Sequence, residues 1–328
     1  MLPSSGVARH APVYSRRRLL QSIGAAIPAF TPIAAARQGT SSTFTLVTNR
    51  TSSDLDPHSA YDPGSGVVLQ GPFEGLIRLK PGSVNAYEPV LAESWSANRD
   101  GSVWSFRLRE GVTFHDGSPL DAEAARVSFE RLFRLGLAPS TVLGRFIADP
   151  TQVVAQDART LVFDLGQPQP LFEAAVAAPY GTSVVNVAAL LQHEVDGDLG
   201  HSWAQTNSEG LGTGPYRIIE FDTENGVVLE RYDGYWGERK AGHFDRVLIR
   251  IVVEPQTRRA LLENGDADLA TTLPLAAIRD LEQHPELTVD RRYNLAVNYL
   301  AMTVSGPLQS PEARQAMCWA FPYREVID

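Results

Sequence analysis

The run Val247-Leu248-Ile249-Arg250-Ile251-Val252-Val253 constrains this chain more than any other segment. It is apolar, mostly β-branched and broken by one arginine, which reads as a strand buried within a sheet. Thr43 to Val47, Val103 to Leu108, Val112 to Phe114 and Thr160 to Leu165 read as further strands, and Tyr216 to Phe221 with Val227 to Arg231 as a strand pair. Helices are interleaved with them. Asp121 is placed to cap a helix reaching Leu135 and stopped by Gly136, with Ala125, Phe129, Leu132 and Phe133 on one face. Others are expected from Leu171, over Thr257 to Asn264 before Gly265, from Pro274 to about His284-Pro285, and from Ser310-Pro311 to about Ala320. Strands mixed with helices define an α/β chain.

Thr51 to Gly66, rich in Asp, Pro, Ser and Gly, reads as a loop, as does Gly210-Leu211-Gly212-Thr213-Gly214-Pro215. The latter lacks a G-K-[ST] ending and precedes a strand, so it is a turn into a sheet and not a phosphate cradle. Cys318 is the only cysteine among 328 residues, which excludes an internal disulfide and a cysteine zinc site. The formal charge of −9, with no basic block, argues against nucleic acid as a partner. No apolar stretch reaches the roughly 18 residues of a membrane span, so no membrane insertion is expected.

The first 36 residues form a separate signal. Arg9, Arg16, Arg17 and Arg18 stand without any acid, a mildly apolar segment follows from Leu19 to Phe30, and Ala34-Ala35-Ala36 offers small residues to a signal peptidase. This is the pattern of a secretory leader cleaved near Ala36. Ser15-Arg16-Arg17-Arg18-Leu19-Leu20 resembles the twin-arginine export motif; a Sec leader carrying three arginines is the alternative. A periplasmic location is expected on either route. Losing four arginines takes the formal charge from −9 to −13.

Catalytic constellations are missing from the residue pattern. There is no G-x-S-x-G, and the seven histidines form neither H-x-H nor H-E-x-x-H. His193 with His201 is the nearest approach to a metal pair, against a solvated loop as the plainer alternative. The five tryptophans are read as core anchors, with Trp236 alone considered as a cleft residue.

The ordered segments Leu55-Asp56-Pro57-His58, Phe73-Glu74-Gly75-Leu76, Pro89-Val90-Leu91-Ala92-Glu93-Ser94-Trp95, Phe106 to Val112, Phe114-His115-Asp116-Gly117, Gly212-Thr213-Gly214-Pro215-Tyr216, Tyr235-Trp236-Gly237 and Leu261 to Asp268 resemble the peptide/nickel family of solute-binding proteins of bacterial ABC importers. The resemblance spans residues 43 to 328. It implies a periplasmic-binding-protein-like, type II, two-lobed α/β fold that closes on ligand by a hinge. The first lobe would have a core at 40–73 and 171–295 and an inserted subdomain at 74–170; residues 296–328 would begin a second lobe that is cut short.

The resemblance further implies no enzyme activity, no cofactor, a monomer, and a permease and an ATPase as partners. Ligand contacts are carried over to Tyr61, Asp62, Pro63, Gly64, Thr271, Tyr293 and Asn298. The tyrosines would supply apolar wall and a hydroxyl, and loop backbone near Pro63 and Gly64 would bond an extended ligand, with Trp236 a fold anchor. Peptides or a similar small solute are the expected ligands. A metal-complex binder using His58 or the His193/His201 pair, a non-functional truncated fragment and, least favoured, an exported hydrolase are the alternatives.

Overall fold

The structure is a computed structural model that describes residues 13–15, 42–238, 243–291 and 301–324. It divides into a large unit, Pro12–Val289, and a small one that includes Asp290–Asp328. In chain order the strands are β1 (Val13–Ser15), β2 (Thr43–Thr48), β3 (Ile77–Leu79), β4 (Tyr87–Pro89), β5 (Ala92–Ala97), β6 (Val103–Leu108), β7 (Val153–Asp157), β8 (Thr160–Asp164), β9 (Tyr216–Asp222), β10 (Gly226–Arg231), β11 (Arg246–Ile251), β12 (Leu269–Ala270) and β13 (Leu287–Val289).

They form three sheets. A mixed seven-stranded sheet has the order β13-β1-β12-β2-β11-β10-β9, in which β2 runs parallel to both β11 and β12. A four-stranded antiparallel sheet has the order β5-β6-β8-β7, and β3 pairs with β4. Helix α1 (Pro63–Val68) lies after β2, and helix α2 (Ala122–Leu135) packs against β7 and β8. In the small unit, the helix Pro311–Ala320 is capped by the Ser310 hydroxyl.

Two apolar cores follow from this arrangement. The four-stranded sheet and α2 enclose Phe106, Phe129, Phe163 and Phe172, with the Phe163 ring 5.2 to 5.5 Å from the other three. The large sheet covers Leu46, Leu55, Val68, Phe73, Val185, Leu211, Leu229 and Ile249. Removing a central ring leaves a void that neighbours fill only in part, so Phe163→Ala is expected to lower stability by about 3–5 kcal/mol in urea unfolding.

α2 forms as its sequence predicts. The Asp121 carboxylate accepts from the Ala124 amide, Gly136 closes the end at φ 61°, and Ala125, Phe129 and Leu132 are buried, with Phe133 partly so. Three local expectations need correction. The apolar run around Ile249 is a strand, but only Ile249 is fully buried and Val253 lies beyond it, 74% exposed. Its branched side chains serve a pleated surface flanked by β2 and β10 rather than a core on both faces. Val112 to Phe114 makes a single bridge, Thr113 to Pro119, instead of a strand. Pro119 has no amide to extend a ladder, and the Phe114 and Leu120 amides close the turn on Ser118 and Val112. Finally, the loop expected through Gly66 ends earlier, because Asp62 caps α1 and Pro63 pre-sets its first turn.

β1 comes from the segment read as a leader. It lies antiparallel between β12 and β13, with Val13 opposite Ala270 and Tyr14 opposite Thr288. Without it, the facing edges of β12 and β13 lose their ladder partner. A chain starting at residue 37 is therefore expected to exchange the amides of 269–270 and 287–289 faster than the full chain, measured by hydrogen–deuterium exchange.

Candidate functional site

The parallel strands β2, β11 and β12 end together. The Val252 amide donates to Thr48 O at 2.8 Å, and the Thr271 amide to Val47 O at 3.1 Å. Segments leaving all three strands thus emerge at one edge of the sheet, the carboxyl edge at which open α/β sheets hold ligands. The segment after β2 carries Tyr61 to Gly64, and the segment after β12 begins with Thr271. Tyr293 and Asn298 lie outside the described residues.

Tyr61 presents an aromatic face, 51% exposed, set edge-on to Tyr180 at 5.1 Å. The Tyr180 hydroxyl donates to Asp62 O at 3.0 Å. The neighbouring backbone amides are engaged within the loop. Pro63 has no amide, and the Gly64 amide already donates to Asp62 Oδ1 at 2.8 Å, as does Ser65 at 3.2 Å. The amides here hold α1 and are not free for an extended ligand. Gly64 itself is required by closeness, since a Cβ there would collide with the Thr51 carbonyl group.

Below this loop lies a buried ionic cluster. Asp56 and Arg131 are both about 1% exposed; Arg131 grips the carboxylate through Nη1 at 3.0 Å and Nη2 at 2.7 Å. Its Nε donates to Leu199 O at 2.9 Å. His201 Nδ1 lies 3.0 Å from Asp56 Oδ2. Burial works against ionisation of Asp56, but the hydrogen bonds from His201 and Arg131 outweigh it and hold the carboxyl well below the usual carboxylate range. The bond to Asp56 raises His201. His58, fully buried beside Arg131, is pushed down to about 4 by burial and by the arginine's charge; its Nε2 meets Ser183 O at 3.1 Å.

A second rim feature is Arg258, 1% exposed on the helix Pro255–Glu263. Its Nη1 donates to Val252 O at 2.5 Å and Val253 O at 2.8 Å, and its Nη2 to Thr272 O at 2.7 Å. This clamp ties the segment after β11 to the one after β12. Thr272 has φ 58°, an outlying conformation for a β-branched residue. Thr272→Gly is expected to raise stability by about 0.5–1 kcal/mol, the relief of strain less the entropy glycine adds to the unfolded chain. Arg258→Met is expected to lower it by about 3 kcal/mol, because it strips donors from three carbonyls. Urea unfolding measures both.

The histidines considered for metal are otherwise engaged. His193 stacks flat on Trp203 at 4.0 Å while His201 faces Asp56. Among the described residues no group of three histidine, cysteine or acidic side chains is arranged so that it could hold a metal ion. Trp236 donates to Glu74 Oε2 at 3.0 Å, with the Arg109 guanidinium 5.2 Å from its ring, which fits the fold-anchor reading. A groove of about 470 Å³ between the Thr206 to Gly210 loop and β9 is lined by none of the predicted ligand residues.

Sequence reading did not find Arg131, His201, Arg258 or Thr272 as parts of this edge. Asp56 and His58 were visible in the Leu55-Asp56-Pro57-His58 segment, but a positive φ and a buried arginine carry no sequence signal.

This mixed α/β architecture is that of type II periplasmic binding proteins. Residues 86–328 match the family described as bacterial extracellular solute-binding proteins, family 5, and the chain belongs to that family. It is 31% identical over 279 residues to the probable D,D-dipeptide-binding periplasmic protein DdpA of Escherichia coli K12, covering 84% of this chain and 52% of that protein. It is 30% identical over 284 residues to the glutathione-binding protein GsiB of Pectobacterium atrosepticum, covering 84% and 51%. Among solved structures, the Helicobacter pylori periplasmic binding protein DppA in complex with the peptide STSA superposes with a TM-score of 0.64 at 25% identity, over 74% of this chain and 49% of that one. A nickel ABC transporter structure from Bacillus halodurans gives 0.59 at 28% identity, over 74% and 46%. The chain spans about half the length of the curated relatives it matches.

Proposed function

We propose that this chain carries the first lobe of an extracytoplasmic solute-binding subunit of an ABC importer, and that its ligand is a short peptide or a similar small solute. The family match over residues 86–328, with D,D-dipeptide- and glutathione-binding proteins among the relatives, carries this reading. Ligand would lie against the carboxyl edge of β2, β11 and β12, on the Tyr61 ring and the Thr271 segment, and a second lobe would close over it; Tyr293 and Asn298 remain contacts implied by the family resemblance alone. A permease and an ATPase would complete the importer.

Residues 1–36 would act as the export leader, with twin-arginine export and cleavage near Ala36. The division into a core at 40–73 and 171–295 and an insert at 74–170 has partial support from two separate apolar clusters, one of which joins residues 76–165 to Phe172, Val176, Ala177 and Val184. Because peptide termini and amides are polar, recognition would rest on hydroxyls and backbone at the rim while aromatic surface supplies contact area. No catalytic step is assigned.

A metal-complex ligand is the second reading, favoured by the nickel transporter likeness. His58 and His201 oppose it, since both are committed to the Asp56–Arg131 cluster. Thermal unfolding of the chain with D-alanyl-D-alanine, glutathione, Ser-Thr-Ser-Ala and a nickel–histidine complex separates the two. A ligand that binds only the folded state stabilises by RT ln(1 + [L]/Kd), about 2.7 kcal/mol at a hundredfold excess over Kd. A rise in Tm with a peptide and none with the nickel complex is expected. The reverse pattern favours the metal reading, and no shift with any of the four overturns the peptide reading.

A further inference from the structure

The ionic cluster beneath the rim is joined to the Tyr61 loop by an unbroken chain of hydrogen bonds. The Asp56 amide donates to Asp54 Oδ1 at 2.9 Å, and the Ser59 hydroxyl to Asp54 Oδ2 at 2.5 Å. Ser52 receives the Asp54 amide at 3.1 Å and lies 2.8 Å from the Ser65 hydroxyl. Ser65 in turn donates to the Asp62 carboxylate, which holds the Gly64 and Ser65 amides. On the other side, Asp56 O receives the Ser59 and Ala60 amides at 3.0 and 2.9 Å, and its Oδ1 the His58 amide at 3.0 Å. Within the loop the Asp56 carboxylate takes the His58 amide, the Asp56 backbone ties in Asp54, Ser59 and Ala60, and the Asp54 and Asp62 carboxylates hold the remaining turns, so Asp56 is where the loop's hydrogen bonds meet the buried cluster.

Two side chains from outside the loop fix that carboxylate. Arg131 reaches it from α2, and His201 from the helix His201–Ala204. The roles differ. The arginine is sealed and permanently charged. The histidine side chain is 21% exposed, so a proton can reach it from solvent. The charged groups around His201 are Asp54 and Asp56 from the loop and Arg131 from α2, with the uncharged His58 imidazole behind Arg131. Asp198, just ahead of it, spends its carboxylate on the amides of Val195, Gly200 and Ser202.

We propose that Arg131 and His201 are positioning residues for the Tyr61 to Gly66 segment, acting through Asp56, and that His201 makes the order of that segment depend on pH. The sign follows from the bond to Asp56. That bond raises His201 above its ordinary 6.5. The charge-assisted contact is complete below that value and weakens to a neutral hydrogen bond as pH rises through the raised one. The loop is then firmest under mildly acidic conditions.

The functional consequence rests on the peptide-binding reading above, whereas the positioning role is tested without any ligand. Hydrogen–deuterium exchange of the full chain at pH 6 and pH 8, corrected for intrinsic rates, reads protection of residues 64–66. Wild type is expected to lose protection roughly five-fold at pH 8, the size of a charge-assisted against a neutral bond. His201→Gln keeps a donor but cannot titrate, and should show equal protection at both values. Arg131→Lys should lower protection at both; should it fail to fold, the His201→Gln comparison decides alone. Equal wild-type protection at the two pH values, or a His201→Gln profile that follows wild type, overturns the proposal. D-Alanyl-D-alanine titrated at the same two pH values tests the separate claim that this segment faces ligand: wild-type affinity should fall at pH 8 and that of His201→Gln should not.

Discussion

A buried charge pair governs the large unit. Asp56 and Arg131 have both left water, a cost of several kcal/mol per ion before their attraction is counted. The cost is offset because neither ion is left short of partners: the carboxylate meets two guanidinium nitrogens, an imidazole and an amide, and the guanidinium also holds Leu199 O and approaches His58. Such a pair tolerates no half measures, since removing one ion leaves the other uncompensated. Its placement is therefore structural in a strong sense. It locks α2, the segment after β2 and the approach to the helix His201–Ala204 into one relative position.

A second buried carboxylate explains why scattered motifs recur together. Glu74 accepts from the Thr213 hydroxyl at 2.9 Å, the Tyr235 hydroxyl at 2.8 Å and the Trp236 indole at 3.0 Å. Phe73-Glu74-Gly75, Gly212-Thr213-Gly214 and Tyr235-Trp236-Gly237 are thus three sides of one contact. The glycines have a matching reason. A Cβ at Gly212 or Gly214 would collide with the carbonyls of Pro72 or Gly71, so only glycine lets the turn pass that close. Burial raises the Glu74 carboxyl, and three donors keep it satisfied.

What could be read from sequence divides along physical lines. Helix α2 was legible because its cap, its stop and its apolar spacing are all local. The strands β2, β6, β8, β9 and β10 were legible for the same reason. The degree of burial of β11 was not, because it depends on what covers each face. Nor was the start of α1, where one aspartate converts a loop-like stretch into a capped turn. Of the rim, Tyr61 and Thr271 were reachable only through resemblance. The clamp of Arg258 on Val252, Val253 and Thr272 joins residues from separate segments through backbone carbonyls, which carry no side-chain signature. The strand made by residues 13–15 was hidden for another reason: the arginines and small residues around it speak for an address label.

The Glu74 contact also bears on the order in which the chain assembles. Its donors lie 139, 161 and 162 positions further along the sequence. Closing loops of that length costs entropy before any bond forms, and folding slows as such distant contacts come to dominate. The Phe163 core, by contrast, draws on residues within a much shorter stretch, from Phe106 to Phe172. The four-stranded sheet with α2 can therefore condense while the polypeptide is still being made. The Glu74 contact, in contrast, must wait until Tyr235 and Trp236 have been synthesised to close on a carboxylate laid down long before.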